Sequence, residues 1–218
     1  MGFAFAQVRM QARLAERPTS VEWQMIETGR DFAQSLDATT RTSLVPFVTR
    51  LGRESDEASI EKALRQSWAD LVAEAASWVP EKWRPALLWI TALPHLRLVE
   101  AWRAPELVAD EASKAEAVGE FEVSEAWRER LISRLPVSDP ALVRDLAPLF
   151  DRFLEGPPRP ESDAAALSVH LETLFRTRAQ EPVAAFAWLG LMALVMERLR
   201  GALLRAVLFP ARQPVEGA

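Results

Sequence analysis

Apolar residues recur at intervals of three and four along most of this 218-residue chain, and no stretch alternates β-branched residues. That spacing is the period of a helix with one buried face. Only eight glycines accompany it, against fifteen prolines, so the breaks between helices are sharp and the helices themselves are stiff. The spacing therefore predicts an all-α protein, a compact multi-helix bundle of about nine to ten helices joined by short links. At this length a single domain over residues 1–218 can bury roughly 70% of the surface its unfolded chain exposes, with possible sub-bundles at about 1–104 and 105–218.

Punctuation places the elements. Thr19 with Glu22 fits a capping box ahead of a helix over Val21–Ser35. Asp37 is a candidate cap for a helix reaching about Gly52, kinked at Pro46. Asp56–Val79 puts Ile60, Leu64, Trp68, Leu71 and Ala75 on one face and ends at Pro80. Asp139 followed by Pro140 is a good N-cap and first-turn pair, Ser162 or Asp163 is the next cap, and Pro182 opens the last long helix. The clearest breaks are Gly52–Ser55, Ala104–Pro105 and the proline-rich Glu155–Glu161. Pro46, Pro85 and Pro148 alone fall inside the expected helices.

Composition excludes much chemistry. There is no cysteine, which removes disulfides, thiolate metal sites and cysteine nucleophiles. The two histidines, His95 and His170, lie far apart, and neither stands four residues from a metal-binding partner. His95 follows Pro94 and reads as the first turn of a new helix. Glu74, Glu81, Glu100 and Glu106 could converge as a carboxylate site, but no Glu-x-x-His motif supports them. No glycine-rich phosphate cradle and no nucleophile elbow occur. The expectation is a non-enzyme with no cofactor, no metal and no small-molecule substrate.

Charge is uneven: residues 1–53 carry +2, residues 54–175 carry −10 and residues 176–218 carry +3. Arginine outnumbers lysine 23 to 3, yet the acidic middle would repel a polyanion, so nucleic acid is not an expected partner. The longest uncharged run, Val183–Met196, is 14 residues, short of the roughly 20 that span a bilayer. It reads as a buried helix. The N-terminal segment has arginines at 9, 13 and 17 and no uninterrupted apolar core, so a cytoplasmic location is expected. Trp78, Trp83, Trp89 and Trp102, with Trp68 and Trp127 nearby in sequence, crowd a helical corner that reads either as core or as a docking face.

Three stretches resemble one family. Phe3-Ala4-Phe5-Ala6-Gln7-Val8-Arg9, followed by Leu14, is similar to the opening of the C/d subunits of A-type and V-type ATPases, the d form being the eukaryotic one; Ala6, Val8, Arg9 and Leu14 fit, while Phe5 and Gln7 depart. Leu98-Val99-Glu100-Ala101-Trp102-Arg103 is similar to a mid-chain stretch of that family, with Leu98 and Arg103 matching. Pro182 through Ala187-Trp188-Leu189 to Leu199-Arg200 resembles its last helix without a gap. Met192, Ala193 and Val195 replace charged residues of the family and make this helix more apolar.

The resemblance implies a funnel of related helical bundles. It implies a rotor and central-stalk socket of a proton- or sodium-translocating ATPase, peripheral on the inner face of the membrane, its contact with the membrane only indirect. The implied partners are the membrane proteolipid ring and the central shaft subunits. Arg9, Arg103, Trp188, Arg198, Arg200 and Arg205 are its candidate interaction residues. Two other readings stand beside it: a cytoplasmic helical adaptor or regulatory module that docks through the tryptophan-rich corner, and a carboxylate-dependent hydrolase or metalloprotein.

Overall fold

A computed structural model describes residues 2–95, 129–136, 139–154 and 161–210. Among these residues every regular element is helical, and the fold is an all-α multi-helix bundle. In chain order the helices are α1 (Phe3–Ala15), α2 (Ser20–Glu27), α3 (Phe32–Thr39), α4 (Val45–Val48), α5 (Glu57–Trp78), α6 (Arg84–Trp89), α7 (Pro140–Leu154), α8 (Glu161–Thr177) and α9 (Pro182–Leu208). Short 3-10 elements at Glu81–Trp83 and Ile90–His95 flank α6, and a helical stretch covers 129–134.

The chain divides into two compact units, neither continuous in sequence. One comprises Met1–Gln11 and Leu71–Leu194; the other comprises Ala12–Asp70 and Val195–Ala218. The expected boundary at Ala104–Pro105 and the proline-rich connector at 155–160 lie outside the described residues.

Helix starts follow their local chemistry. Thr19 and Glu22 complete the capping box: the Thr19 N–H donates to Glu22 Oε2 at 2.7 Å, and the Glu22 N–H donates back to Thr19 Oγ1 at 3.3 Å. These bonds satisfy amides that the first turn leaves without helical partners. Asp56 Oδ1 accepts the Ser59 N–H at 2.9 Å just ahead of α5, and Asp139 Oδ1 accepts the Leu142 N–H at 3.0 Å just ahead of α7.

Other expectations need correction. The helix expected over Val21–Ser35 is two helices, because the chain turns at Gly29 and Asp31 caps α3 through the Gln34 N–H at 2.9 Å. A Cβ at Gly29 would overlap Ser35 Oγ and sit 2.9 Å from the Ser35 nitrogen, so the turn needs glycine's missing side chain. Asp37 is not a cap but lies inside α3, where its carboxylate takes Arg53 at 2.7 Å. Pro46 and Pro85 sit in the first turns of α4 and α6, where proline's missing N–H costs nothing. Pro148 is interior to α7. On α5 it is Val72, not Leu71, that continues the fully buried stripe of Ile60, Leu64, Trp68 and Ala75. Helix α8 opens at Glu161, so Ser162 and Asp163 stand within its first turn. His95 is the last residue of the 3-10 element Ile90–His95, and the helix expected to follow it lies outside the described residues.

The first unit's core is aromatic and leucine-rich: Trp78, Leu87, Leu146, Phe150, Phe175 and Phe186 are all buried. Helix α7 packs on α8 and on Ile90–His95. In the second unit α2 packs on α3 and α3 on α4. Ser67 locks α5 to α4 by donating to the Phe47 carbonyl at 3.3 Å and accepting from Arg50 at 3.1 Å.

Candidate interaction residues on the last helix

Helix α9 is 27 residues long and begins at proline, whose fixed φ suits a first turn. Gln180, just ahead of it, has φ of 70°, and this left-handed residue lets the chain reverse out of α8. By length and composition α9 is the one described helix that could cross a membrane, and 72% of its most apolar window is buried inside the protein. The uncharged run meets the expectation of burial, since Val183 through Ala193 are all buried.

Trp188 lies in that run and is 0% exposed. Its ring sits 5.8 Å from that of Trp78 at an interplanar angle of 54°. Its indole Nε1 is buried without a hydrogen-bond acceptor among the described residues. An unsatisfied buried donor of this kind costs about 1–3 kcal/mol. Trp188 is thus a packing residue, closed to a partner. Trp78 and Trp83 are buried as well, while Trp89 is half-buried under the Arg134 guanidinium at 3.9 Å. Trp78 and Trp83 are therefore core, as one of the two readings of this corner expects; Trp102 and Trp127 lie outside the described residues.

Arg9, from the first helix, is exposed. Its guanidinium lies 4.9 Å from the Phe5 ring centroid and 5.6 Å from that of Trp78. Gln7 of the same helix is buried and donates from Nε2 to the Phe175 carbonyl at 3.2 Å. Phe3 meets Trp83 edge-on at 6.0 Å. Ala6, Gln7 and Met10 thus face the core of the first unit, while Phe5, Val8 and Arg9 are exposed.

Beyond Leu194 the helix changes character. Arg198 grips Glu27 of α2 with two parallel bonds, Nε to Oε1 at 2.6 Å and an amino nitrogen to Oε2 at 3.0 Å. Its guanidinium also covers Trp23 at 4.4 Å. Arg200 reaches Glu61 of α5, with Nε 2.6 Å and an amino nitrogen 2.5 Å from Oε1. The two-oxygen fork that Arg198 makes fixes orientation as well as charge, whereas both Arg200 nitrogens converge on one oxygen. Arg205 is exposed and makes no ion pair among the described residues. Arg103 lies outside them, together with the whole Leu98–Arg103 stretch, Glu100 and Glu106. Glu27, Glu61 and Trp23 are partners of these arginines that the sequence does not single out. The two carboxylates lie 171 and 139 residues from their arginines, and no local pattern announces such pairs.

Among the described residues no group of three or more His, Asp or Glu side chains is arranged to hold a metal ion. His170 is half-buried on α8, and its Nε2 is 2.9 Å from the Asp145 carbonyl oxygen, a bond that fastens α8 to α7. An open apolar groove of about 380 Å³ lies between Ile132 and the α7 residues Pro140, Val143 and Ala147.

Two carboxyls titrate away from their ordinary range. The Thr19 N–H, helped by its hydroxyl, holds the Glu22 carboxyl below the usual value. Ser59, through its hydroxyl and then its N–H, does the same for Asp56. Both groups are helix caps.

No protein-family model, no curated protein and no solved structure matches this chain.

Proposed function

We propose that this chain is a non-catalytic socket component of a V/A-type ion-translocating ATPase, coupling a central shaft to the membrane proteolipid ring. The reading rests on the resemblance of the chain's two ends to the C/d family of ATPase subunits. One observation supports it above the rest. Arg9, from the first matched stretch, and Trp188, from the last, both meet Trp78, at 5.6 and 5.8 Å. Residues from the two matched ends thus share one aromatic cluster.

A torque-bearing part needs rigidity and protein-facing surface, not a reactive centre. A glycine-poor helical bundle with aromatic corners suits that task. Its partners would be ring and shaft subunits, with no nucleic acid or small-molecule substrate and only indirect membrane contact from the cytoplasmic side. With Arg198 and Arg200 engaged by Glu27 and Glu61, Arg205 is the arginine of the last helix most open to a partner. The test is affinity purification of the tagged full chain from its own cells. Recovery of both ring and shaft subunits is expected; reproducible recovery of neither overturns the reading.

A further inference from the structure

Helix α1 is apolar on two sides. Its inner side turns Ala6 and Met10 into the core. At 3.6 residues per turn, Ala4, Phe5, Val8, Ala12 and Ala15 all fall within about 60° of a direction midway between Val8 and Ala12. All five are exposed, Phe5 at 40% and Val8 at 67%. A surface helix ordinarily turns a polar side away from the core. Single exposed apolar residues need no explanation, but an uncharged strip along a whole helix does.

Cations gather on one side of this strip. Arg9 stands at its edge, about 80° from its centre. The Arg9 guanidinium lies over the Phe5 and Trp78 rings, which leaves its N–H edge open to an oxygen acceptor. On the same side Phe3 meets Trp83, and Lys82 and Arg84 on either side of that tryptophan are exposed. None of these three cations is paired with a carboxylate among the described residues. Glu81 is the acid of that 3-10 turn, Glu16 lies just past the far end of α1, and Arg13 and Glu74 each have an interaction of their own. The other side, where Gln7 holds the Phe175 carbonyl, differs: Arg176 is paired with Glu172, and Arg178 with Asp145 and Glu181.

An uncharged strip beside unpaired cations asks for a partner that offers apolar depth and negative charge together. A bilayer surface does so, with a layer of phosphates above a layer of acyl chains and no fixed relief to match. The three alanines make the strip flat, which suits such a surface. Helix α1 has 13 residues. At 1.5 Å per residue it is about 20 Å long, short of the roughly 30 Å hydrocarbon core, so it lies along the interface and does not span it.

We infer that α1 is a bilayer-docking surface, on which Phe5 and Val8 enter the acyl layer while Arg9, Lys82 and Arg84 hold anionic headgroups. The chain's net charge is −5, so the attraction is local, weak and sensitive to salt. The inference goes beyond the socket reading, which asks only for indirect membrane contact, and it stands on the first unit alone. Its test uses vesicles that hold no ring or shaft protein, so either reading can fail without the other.

Flotation of the purified full chain with vesicles tests it, using phosphatidylcholine alone and phosphatidylcholine mixed equally with phosphatidylglycerol. The expected result is binding to the mixed vesicles, weaker binding to the neutral ones, and loss of most of the difference at high salt. Val8→Leu adds one methylene on the open face and is expected to strengthen binding about fourfold, a gain that damage to the fold does not produce. Val8→Glu is expected to weaken binding by at least about tenfold with the melting temperature unchanged, because the side chain is largely exposed. Lys82→Gln combined with Arg84→Gln is expected to weaken binding to the mixed vesicles by about tenfold and to leave the neutral ones unaffected. No binding to the mixed vesicles at low salt, equal binding to the two kinds, or binding indifferent to both Val8 variants overturns the inference. So does a chain that ignores vesicles and self-associates through Val8, which would give the strip to a second copy.

Discussion

The two halves of α9 hold their places by different physics. From Pro182 to Leu194 the helix carries no charge, and its glycine, Gly190, is pressed against leucines of two other helices. From Val195 to Leu208 it carries Glu197, Arg198, Arg200 and Arg205, and its glycine, Gly201, faces open space. The first half is held by shape: burial on every side leaves no polar contact to orient it, and even Trp188 gives up its hydrogen bond. The second half is held by an apolar stripe and by two arginine–carboxylate pairs that fix its rotation. Each half belongs to a different compact unit. A single helix thus shows that a buried segment can be specified by volume alone, whereas a half-exposed one needs charge to choose its face.

The sharpest break in this comparison is removal of volume from the first half. Trp188→Ala leaves a cavity beside Trp78 and is expected to cost about 3–5 kcal/mol in denaturant unfolding. Trp188→Phe is the informative companion. It keeps most of the ring while deleting the orphaned N–H, so its cost is expected to stay below about 1.5 kcal/mol. A Phe variant as damaging as the Ala variant would show that the indole has a partner after all.

Gly190→Ala comes next. Its new methyl would stand 3.0 Å from Leu149 Cδ1 and Cδ2 and from Leu171 Cδ1. Both leucines are 0% exposed, so they have little room to yield. Overpacking of about 1–3 kcal/mol is expected to exceed the helix-propensity gain of about 1 kcal/mol, for a net loss near 1 kcal/mol by thermal or denaturant melting.

In the second half, Arg200→Met keeps the stem and deletes the charge. It leaves Glu61, 13% exposed in its side chain, without its cation. A loss of about 1 kcal/mol is expected, the upper end for a partly exposed pair. Added salt should shrink the difference between wild type and variant, since screening weakens only the ion pair. Trp188 variants should show no such salt dependence.

How far the sequence discloses these differences depends on range. The class of fold follows from spacing, and the starts of α2, α5, α7 and α9 follow from caps and proline, because such signals act within one turn. The break at Gly29 escapes a local reading because its need arises from Ser35 folding back on it, a contact the helical pattern of Val21–Ser35 conceals. The one-residue shift from Leu71 to Val72 arises because the buried stripe takes its three-residue step between Val72 and Ala75 and not between Trp68 and Leu71, and with both residues apolar the local pattern does not choose between them. At the candidate site the arginines of α9 are visible in the sequence, but the carboxylates that engage them are not. Glu27 and Glu61 are separated from them by over a hundred residues. Trp188 is visible as a family-like residue, but its complete burial depends on the packing of α5, which no local pattern reports.

Gly201→Ala should reverse the sign found at Gly190. The site is exposed and empty, so the methyl meets nothing and the gain is helix propensity alone, about 0.5–1 kcal/mol in thermal unfolding at dilute protein concentration. Equal signs at the two glycines would erase the contrast between the halves.

The smallest expected effect is a response to acid, and it should fall on one half only. Glu22 caps α2, the helix that supplies Trp23 and Glu27 to Arg198, and Asp56 caps α5, which supplies Glu61 to Arg200. Both carboxyls have folded-state values below their ordinary ones, through hydrogen bonds from Thr19 and Ser59. A depressed folded value means that the ionised cap stabilises the folded state above the unfolded pKa, and that this contribution disappears as pH falls through the folded pKa. Acid therefore loosens the first turns of α2 and α5, the helices to which the second half of α9 is tied. The first half is packed among buried apolar side chains of α7, α8 and the far end of α5, more than twenty residues from the Asp56 cap. Amide hydrogen exchange followed from neutral pH to below pH ~4, the ordinary carboxylate range, should show protection falling at α2 and at Val195–Leu208 before Val183–Ala193 responds. Glu22→Gln should remove part of that pH dependence at α2. Simultaneous loss of protection along the whole of α9 would mean that its two halves are not separately held.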